Sequence, residues 1–411
     1  MPPAALDPIE VLSRGTVDVV VRAELEQKLA AFARGLRGPL RVKAGFDPTR
    51  PDLHLGHVVL LQKLRQFQQL GHTIVFLIGD TTAMVGDPTG QNDLRPRLSR
   101  EEVLAAAETY QAQAFKVLDR DATEVRWNGE WLGKLSSLEF IELAAKTTVA
   151  RIMERDDFEK RWSERRPIYQ HELLYPLLQG YDSVALDADL ELGGTDQLFN
   201  LNVGRDLMPR YGKPAQSVLT VPLLEGTDAR VVDGRVVGKK MSKSADNYIG
   251  ITEAPLVMFR KCMQIDDEVI WRYFELLSRR STAELRELRA ATTDPREPKR
   301  LFAREMVARF HDDEAAALAE REFASVYLGE GLPADIPEVS VAADGDTLWL
   351  PKALVAARLA SSTSDGRRQL TDGWVEVDGA RVTDPKHALP RGAYLLRVGS
   401  KNRKFARVTV A

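Results

Sequence analysis

Between Leu40 and Asp80 the spacing of apolar residues changes twice. LRVKAGFDP is a short extended run that ends in a turn. LHLGHVVLLQKLRQFQQLG repeats apolar residues every three or four positions and stops at Gly71. HTIVFLIGD is an unbroken apolar run, as expected of a strand buried on both faces. Strand, helix and strand in that order form a βαβ unit. An α/β fold is predicted, with a Rossmann-like, doubly wound parallel sheet and ligands at the carboxyl ends of its strands.

Upstream, VDVVVRAELEQKLAAFARG (17–35) has helical spacing and a terminal glycine, so a helix is predicted there. Helical stretches dominate from Arg100 to Arg155. DSVALDADLELGGTDQ then returns to short strand-like pieces and a glycine turn. A second helical region runs from Pro255 to Ser325, and the Gly/Pro/Asp-rich YLGEGLPADIPEVSVAADGD reads as a linker. The module after it opens with a helix, PKALVAARLA, and continues in short strands broken by Asp-Gly (WVEVDGARV) and in YLLRVGSKNRKFARVTV. The expected division is a catalytic domain at 1–250, a helical domain at 251–328, a linker at 329–341 and a small basic α+β domain at 342–411. EGTDARVVDGRVVG (225–238) reads as an exposed hairpin. There is no internal repeat.

Composition refines this picture. A chain of 411 residues exceeds what one core fills, and 44% apolar content supports more than one. No run of 18 apolar residues suggests a membrane span. MPPAALDPIEVLSRG lacks the basic-then-apolar pattern of an export signal, and the single Cys262 excludes an internal disulfide framework. A cytoplasmic protein is expected. Net charge is −3 overall, yet residues 341–411 carry 12 Lys and Arg against 7 Asp and Glu. A basic module on an acidic body points to a polyanion partner.

HLGH (54–57) places two imidazoles at the start of a predicted helix. A zinc site needs three or four Cys, His or carboxylate ligands, and the six histidines and one cysteine are scattered. No structural metal is expected. Free N–H groups at a helix start attract phosphate, and His54 and His57 can donate to its oxygens. Gly56 would let a ligand approach the main chain. Helix capping and packing is the plainer account of the same pair. Neither GxxxxGK[ST] nor GxGxxG is present. Asp80 and Asp87, the latter in GDPTG, cluster with glycine turns where a carboxylate suits an ammonium group. Asp47 and Thr49 in GFDPT fit turn or cap positions.

YPLLQGYD (175–182) puts Tyr175 and Gln179 on one helical face, with Asp182 near the helix end. Polar groups on so apolar a segment need partners, which a small aromatic zwitterion would supply; a helix edge facing water is the alternative. LGGTDQ (192–197) brings Gly194, Thr195, Asp196 and Gln197, with Asp196 able to accept from ribose hydroxyls. In KKMSKSADN (239–247), Lys240 and Lys243 can reach phosphates as mobile charges and stabilise a leaving pyrophosphate. Taken alone, that stretch would read as a solvated loop.

Together these stretches resemble the class I aminoacyl-tRNA synthetases. HLGH is similar to one signature of that family, and KMSKS (240–244) matches the second in full, roughly 185 residues later. GFDPTRPDLHLGH, GDPTG, YPLLQGYD and GGTDQ narrow the resemblance to the bacterial tyrosyl-tRNA synthetases. The basic tail resembles their small RNA-binding module. The resemblance implies that tyrosine attacks the α-phosphorus of ATP and is then transferred to the terminal ribose of tRNA(Tyr). It assigns His54, His57, Thr49, Lys240 and Lys243 to the ATP phosphates. Asp87, Tyr175 and Gln179 would hold the tyrosine ammonium, and Asp182 the phenol. Asp47, Gly56, Gly194, Asp196 and Gln197 would line the adenylate, with Met241 and Ser242 beside it. Mg²⁺ would accompany ATP.

In the tail, Arg367, Arg368, Lys401, Arg403, Lys404 and Arg407 are the candidates for tRNA backbone contacts. The family's members are homodimers, and their helical region faces the anticodon stem. Two departures stand out. Some members carry tyrosine at the position of Lys43, and a basic residue at Gln91, which Asn92 follows. The tryptophanyl enzymes share the core but usually lack the basic tail, and YPLLQGYD suits tyrosine better. Against a non-catalytic RNA-binding protein stand the intact His54, His57, Lys240 and Lys243.

Overall fold

The structure is a computed structural model. It describes residues 8–48, 52–89, 98–328, 332, 336–399 and 403–411. The chain forms two compact units, Met1–Glu253 with Gln264–Phe302, and Ala254–Met263 with Ala303–Ala411.

The first unit is built on a six-stranded sheet: β1 (Val19–Val20), β2 (Arg41–Phe46), β3 (Thr73–Ile78), β4 (Thr123–Trp127), β5 (Leu190–Gly194) and β6 (Ser217–Val221). The strands lie in the order β1-β6-β5-β2-β3-β4. β2 to β6 are parallel, and β1 runs antiparallel along β6. After the edge strand β1 the chain enters the centre at β2, adds β3 and β4 on one side, then returns to add β5 and β6 on the other. The order reverses between β2 and β5, which pair only at Val42–Leu190 and Lys43–Glu191 before they part. A crevice therefore opens at their carboxyl ends, where doubly wound sheets bind ligands.

Val42, Ala44, Ile74, Phe76, Leu190 and Leu192 are buried in this sheet. The Leu55–Gln69 helix buries Leu55, Val58, Leu61, Leu64 and Phe67 at the predicted spacing. Phe67 is fully enclosed, so Phe67→Ala would cost about 3–5 kcal/mol. The Gln170–Leu186 helix carries YPLLQGYD and ends at Asp187 with a left-handed φ of 49°.

Three elements of the first unit differ from expectation. Residues 17–35 do not form one helix: Val19 and Val20 pair with Leu219 and Val218, and the helix begins at Arg22. The β-branched valine run favours the strand. TEVRW (123–127) lies in a stretch predicted helical but forms β4. As an edge strand it is only half-buried and carries Glu124 and Arg126, so it lacks the apolar run of a central parallel strand. DSVAL, predicted as strand-like, is the last turn of the Gln170–Leu186 helix.

The predicted hairpin exists as Arg230–Val232 and Arg235–Val237. Its turn, Asp233-Gly234, has φ of 50° and 72°, as a two-residue hairpin loop requires. Asp378-Gly379 does the same in the second unit. There, strands Ala380–Val382, Val375–Val377, Gly392–Val398, Lys404–Val410 and Glu338–Val341 form a sheet in that order. Helices Leu350–Ala356 and Thr363–Thr371 share its apolar core, including Leu354, Leu370, Leu396 and Val408. Glu338–Val341, in the stretch predicted as linker, pairs parallel with Lys404–Val410.

Candidate active site

His54 is the N-cap of the Leu55–Gln69 helix. Its Nδ1 accepts from Gly56 N–H at 3.2 Å, and His57 Nδ1 accepts from His54 N–H at 3.2 Å. Accepting at Nδ1 fixes the tautomer: each neutral ring carries its proton on Nε2. Burial, reinforced by His57, Lys243 and Lys240, pushes His54 down to about 2. Burial and the same two lysines push His57 to about 4. At neutral pH both rings are uncharged, with Nε2–H as the donor. Capping and anion donation are thus compatible, one nitrogen serving each. Gly56 has a nearer reason than a ligand: a Cβ there would lie 2.9 Å from the His54 ring and 3.7 Å from Met241 Cβ.

The lysine-rich stretch meets this helix start. Leu55 N–H donates to Ile249 O at 3.0 Å, and Lys243 Nζ lies 3.0 Å from Asp52. Met241 is buried, and Ser242 N–H donates to Asn247 Oδ1 at 2.8 Å. Lys240 Nζ lies 3.4 Å from Asp196, just beyond Gly194 at the end of β5. Two segments far apart in sequence therefore line one mouth of the crevice.

Deeper in, a connected set of polar side chains closes the pocket. Tyr175 hydroxyl donates to Asp47 at 2.8 Å, as does Thr82 hydroxyl at 2.7 Å. Burial still lifts Asp47 to about 7, and burial together with the Asp47 charge raises Tyr175 well above its usual 10. Asn128 donates to Thr82 Oγ1 at 2.9 Å and to Asp182 at 3.3 Å. Trp131 Nε1–H donates to Asp182 at 2.8 Å. Burial lifts Asp182 to about 7, although the Lys43 charge and the bonds from Trp131 and Asn128 pull it down. On the other side, Gln197 donates to Asp87 at 2.8 Å, and Asn200 donates to both Gln197 (3.0 Å) and Gln179 (3.1 Å). Two hydrogen-bonded sets, one running from Asp47 to Asp182 and one from Asp87 to Gln179, thus meet on the Gln170–Leu186 helix, which carries Tyr175, Gln179 and Asp182. Asp80 has a different task, accepting from Gly129 N–H at 2.8 Å.

Comparison with known proteins names the architecture. Residues 36–327 match the family described as tRNA synthetases class I (W and Y), and residues 348–393 match the S4 domain. The chain is 54% identical over 405 residues to a tyrosine–tRNA ligase of Thiobacillus denitrificans, covering 98% of this chain and 99% of that one. It is 50% identical over 405 residues to a tyrosine–tRNA ligase of Coxiella burnetii, covering 98% of each. This chain belongs to the class I tyrosyl-tRNA synthetases.

Solved structures agree on the fold. A truncated mitochondrial tyrosyl-tRNA synthetase of Aspergillus nidulans aligns with TM-score 0.63 at 19% identity, covering 77% of this chain and 92% of that one. An Archaeoglobus fulgidus tyrosyl-tRNA synthetase solved with L-tyrosine gives 0.59 at 22% identity, covering 76% and 98%.

Several residues of the synthetase pocket are absent from the sequence-based candidates. Arg155 is buried, lies 3.7 Å from Asp87 and donates to Thr89 Oγ1 at 2.7 Å. Asn128, Trp131 and Asn200 come from stretches with no motif. Thr49, Gln91, Asn92 and Lys401 lie outside the described residues. In the tail, Arg367, Arg368, Lys404 and Arg407 are exposed, whereas Arg403 is half-buried. Arg368 pairs with Asp365 at 2.7 Å, and the Arg367 guanidinium sits 5.6 Å from the Trp349 ring centre. Among the described residues no group of three His, Cys, Asp or Glu is placed to hold a metal ion, and no helix is long and apolar enough to cross a membrane.

Proposed function

We infer that this synthetase joins tyrosine to tRNA(Tyr) in two steps, with each pocket group in a definite role. The chain is a tyrosine–tRNA ligase: it forms tyrosyl-adenylate from tyrosine and ATP, then esterifies the terminal ribose of the tRNA. The observation that supports the residue roles is the meeting of His54 and His57 with the Lys240–Lys243 segment at the mouth of a pocket that ends at Asp182.

In the first step the tyrosine carboxylate attacks the α-phosphorus, and the bond to the β-phosphate breaks with its electrons leaving on pyrophosphate. The nucleophile is already an anion, so no protein base is required. The chain supplies position and charge. His54 and His57 donate from Nε2 to phosphate oxygens, and Thr49 is assigned to the same phosphates. Lys240 and Lys243 exchange Asp196 and Asp52 for the pyrophosphate. Asp87, Tyr175 and Gln179 hold the ammonium, and Asp182 accepts from the phenol hydroxyl. Asp47, Gly56, Gly194, Asp196, Gln197, Met241 and Ser242 line the adenylate. ATP enters as its Mg²⁺ complex, and that ion belongs to the substrate. In the second step the ribose hydroxyl attacks the tyrosyl carbonyl and AMP leaves.

The basic residues of the tail grip the tRNA backbone, and the helices between 255 and 323 face its anticodon stem. The working form is a cytoplasmic homodimer. Leu138, Ile141 and Val149 support this, being large apolar side chains more than 60% exposed on neighbouring helices. Light scattering is expected to give twice the 45.9 kDa chain mass; a monomer mass would refute it. ATP–pyrophosphate exchange tests the chemistry. It is expected with tyrosine and not with tryptophan, and exchange driven by tryptophan alone would overturn the substrate assignment.

A further inference from the structure

Lys43 is fully buried, and the mechanism above leaves it unused. Its three ammonium protons meet three acceptors: Glu191 Oε1 at 2.8 Å, Ser183 Oγ at 2.8 Å and the Gln179 carbonyl at 3.3 Å. Glu191, 1% exposed, accepts through Oε2 from Ser183 Oγ at 2.8 Å and from Gln216 Nε2 at 2.6 Å. No proton of Lys43 remains for a ligand. Its side chain is thereby committed to the interior.

The place of this pair in the fold is informative. Lys43 and Glu191 are register partners on β2 and β5, at the last rung before those strands part. Above them the Gln170–Leu186 helix crosses the Leu198–Arg210 helix at close range. A Cβ at Gly180 would lie 3.0 Å from Gly204 N, and a Cβ at Gly204 would lie 2.9 Å from Gln216 Nε2. A methyl at Gly180 would press on the neighbouring helix's backbone, and one at Gly204 would displace the Gln216 amide. Two of the three Lys43 acceptors belong to the pocket helix, and each adjoins pocket chemistry. Gln179 presents its own amide to Asn200, and Ser183 follows Asp182.

A buried ion pair is a weak source of stability, since apolar side chains of similar volume often serve as well or better. What it imposes is direction. We propose that the Lys43–Glu191 pair is a positioning element for substrate selection. By clamping the Gln179 carbonyl and the Ser183 hydroxyl it sets where the Gln179 amide and the Asp182 carboxylate stand, and so how well the pocket separates a phenol from a phenyl ring. Lys43 touches no substrate atom. The inference rests on the assignment of this pocket to tyrosine.

The test uses the full-length chain with Lys43→Met and Glu191→Gln together. Methionine fills the lysine stem, and glutamine keeps partners for Ser183 and Gln216 without a lone buried charge. The double variant is expected to melt close to the unaltered protein and to keep its KM for ATP. Its KM for tyrosine is expected to rise, and its preference for tyrosine over phenylalanine in pyrophosphate exchange to fall, on the order of tenfold to a hundredfold. A folded double variant with unchanged tyrosine KM and unchanged preference would overturn the proposal. If that variant does not fold, Ser183→Ala cuts the hydroxyl link and leaves the ion pair in place. It is expected to move both quantities in the same direction, and no movement would overturn the proposal equally. Absence of tyrosine-dependent exchange in the unaltered protein would instead remove the pocket assignment on which the inference stands.

Discussion

Replacing Asp182 by alanine separates recognition of the phenol from everything else the pocket does. Asp182 is 2% exposed and accepts from Trp131 at 2.8 Å and Asn128 at 3.3 Å. Above about pH 7, where the Asp182 carboxyl is ionised, a hydrogen bond to this charged acceptor contributes about 1.5–3 kcal/mol, which corresponds to roughly 10- to 200-fold in kcat/KM. Tyrosine loses that bond in Asp182→Ala; phenylalanine never made it. Both substrates share the cost of leaving Trp131 Nε1–H and an Asn128 N–H without an acceptor, about 1–3 kcal/mol of folding stability for each group. The ratio of kcat/KM for tyrosine over phenylalanine is therefore expected to fall roughly 10- to 200-fold. Intact sites of this type reach about 10⁴–10⁵ in that ratio, so selection is reduced, not abolished. ATP–pyrophosphate exchange with each amino acid measures it. Equal losses for both would refute the role, because a purely structural defect cannot tell the two rings apart.

Three further outcomes are expected. Asp182 is held near 7 in the folded chain against an ordinary 3.8; between those values the folded chain keeps a proton that the unfolded chain has lost, so this group's contribution to stability falls as pH rises and levels off above about 7. Asp182→Asn lacks this dependence, and its Tm relative to the unaltered protein is expected to climb from about pH 5 to about pH 8; a constant difference would contradict the buried carboxyl. Lys243→Met is expected to slow pyrophosphate exchange by about 10²–10³ while leaving tyrosine affinity, measured by equilibrium dialysis, unchanged; weakened tyrosine binding would argue against a phosphate role. Changing Arg367, Lys404 and Arg407 to alanine is expected to raise the KM for tRNA and to flatten its salt dependence by about one logarithmic unit for each phosphate no longer neutralised. Exchange without tRNA then stays intact, and an unaltered salt slope would place those residues off the RNA.

The parts of the synthetase visible in its sequence are those where chemistry or backbone geometry restricts the residue type. The βαβ unit, the position of HLGH at a helix start, the Tyr175–Gln179–Asp182 face and the two Asp-Gly hairpins all follow from period and turn chemistry. The antiparallel β1 does not, because VDVVV satisfies strand and helix spacing alike and only pairing with β6 decides. β4 is hidden for the opposite reason: at a sheet edge its charged residues find partners such as Arg41 with Glu124. The inner pocket is the least legible part. Trp131, Asn128, Arg155 and Asn200 act through partners 21 to 66 residues away in sequence, and no local pattern marks them. Lys43 reads only as a departure from some members of the family until Glu191 is seen opposite it on the neighbouring strand.

The two signature imidazoles are each anchored by one nitrogen to the first turn of their own helix. Their ring planes are therefore set when the chain folds, before any nucleotide arrives, and the second nitrogen points along a direction the protein has already chosen. One consequence concerns a residue that carries no side chain at all. Gly56→Ala would push the His54 ring aside and swing its donor off line, so aim would be lost with every polar group still in place.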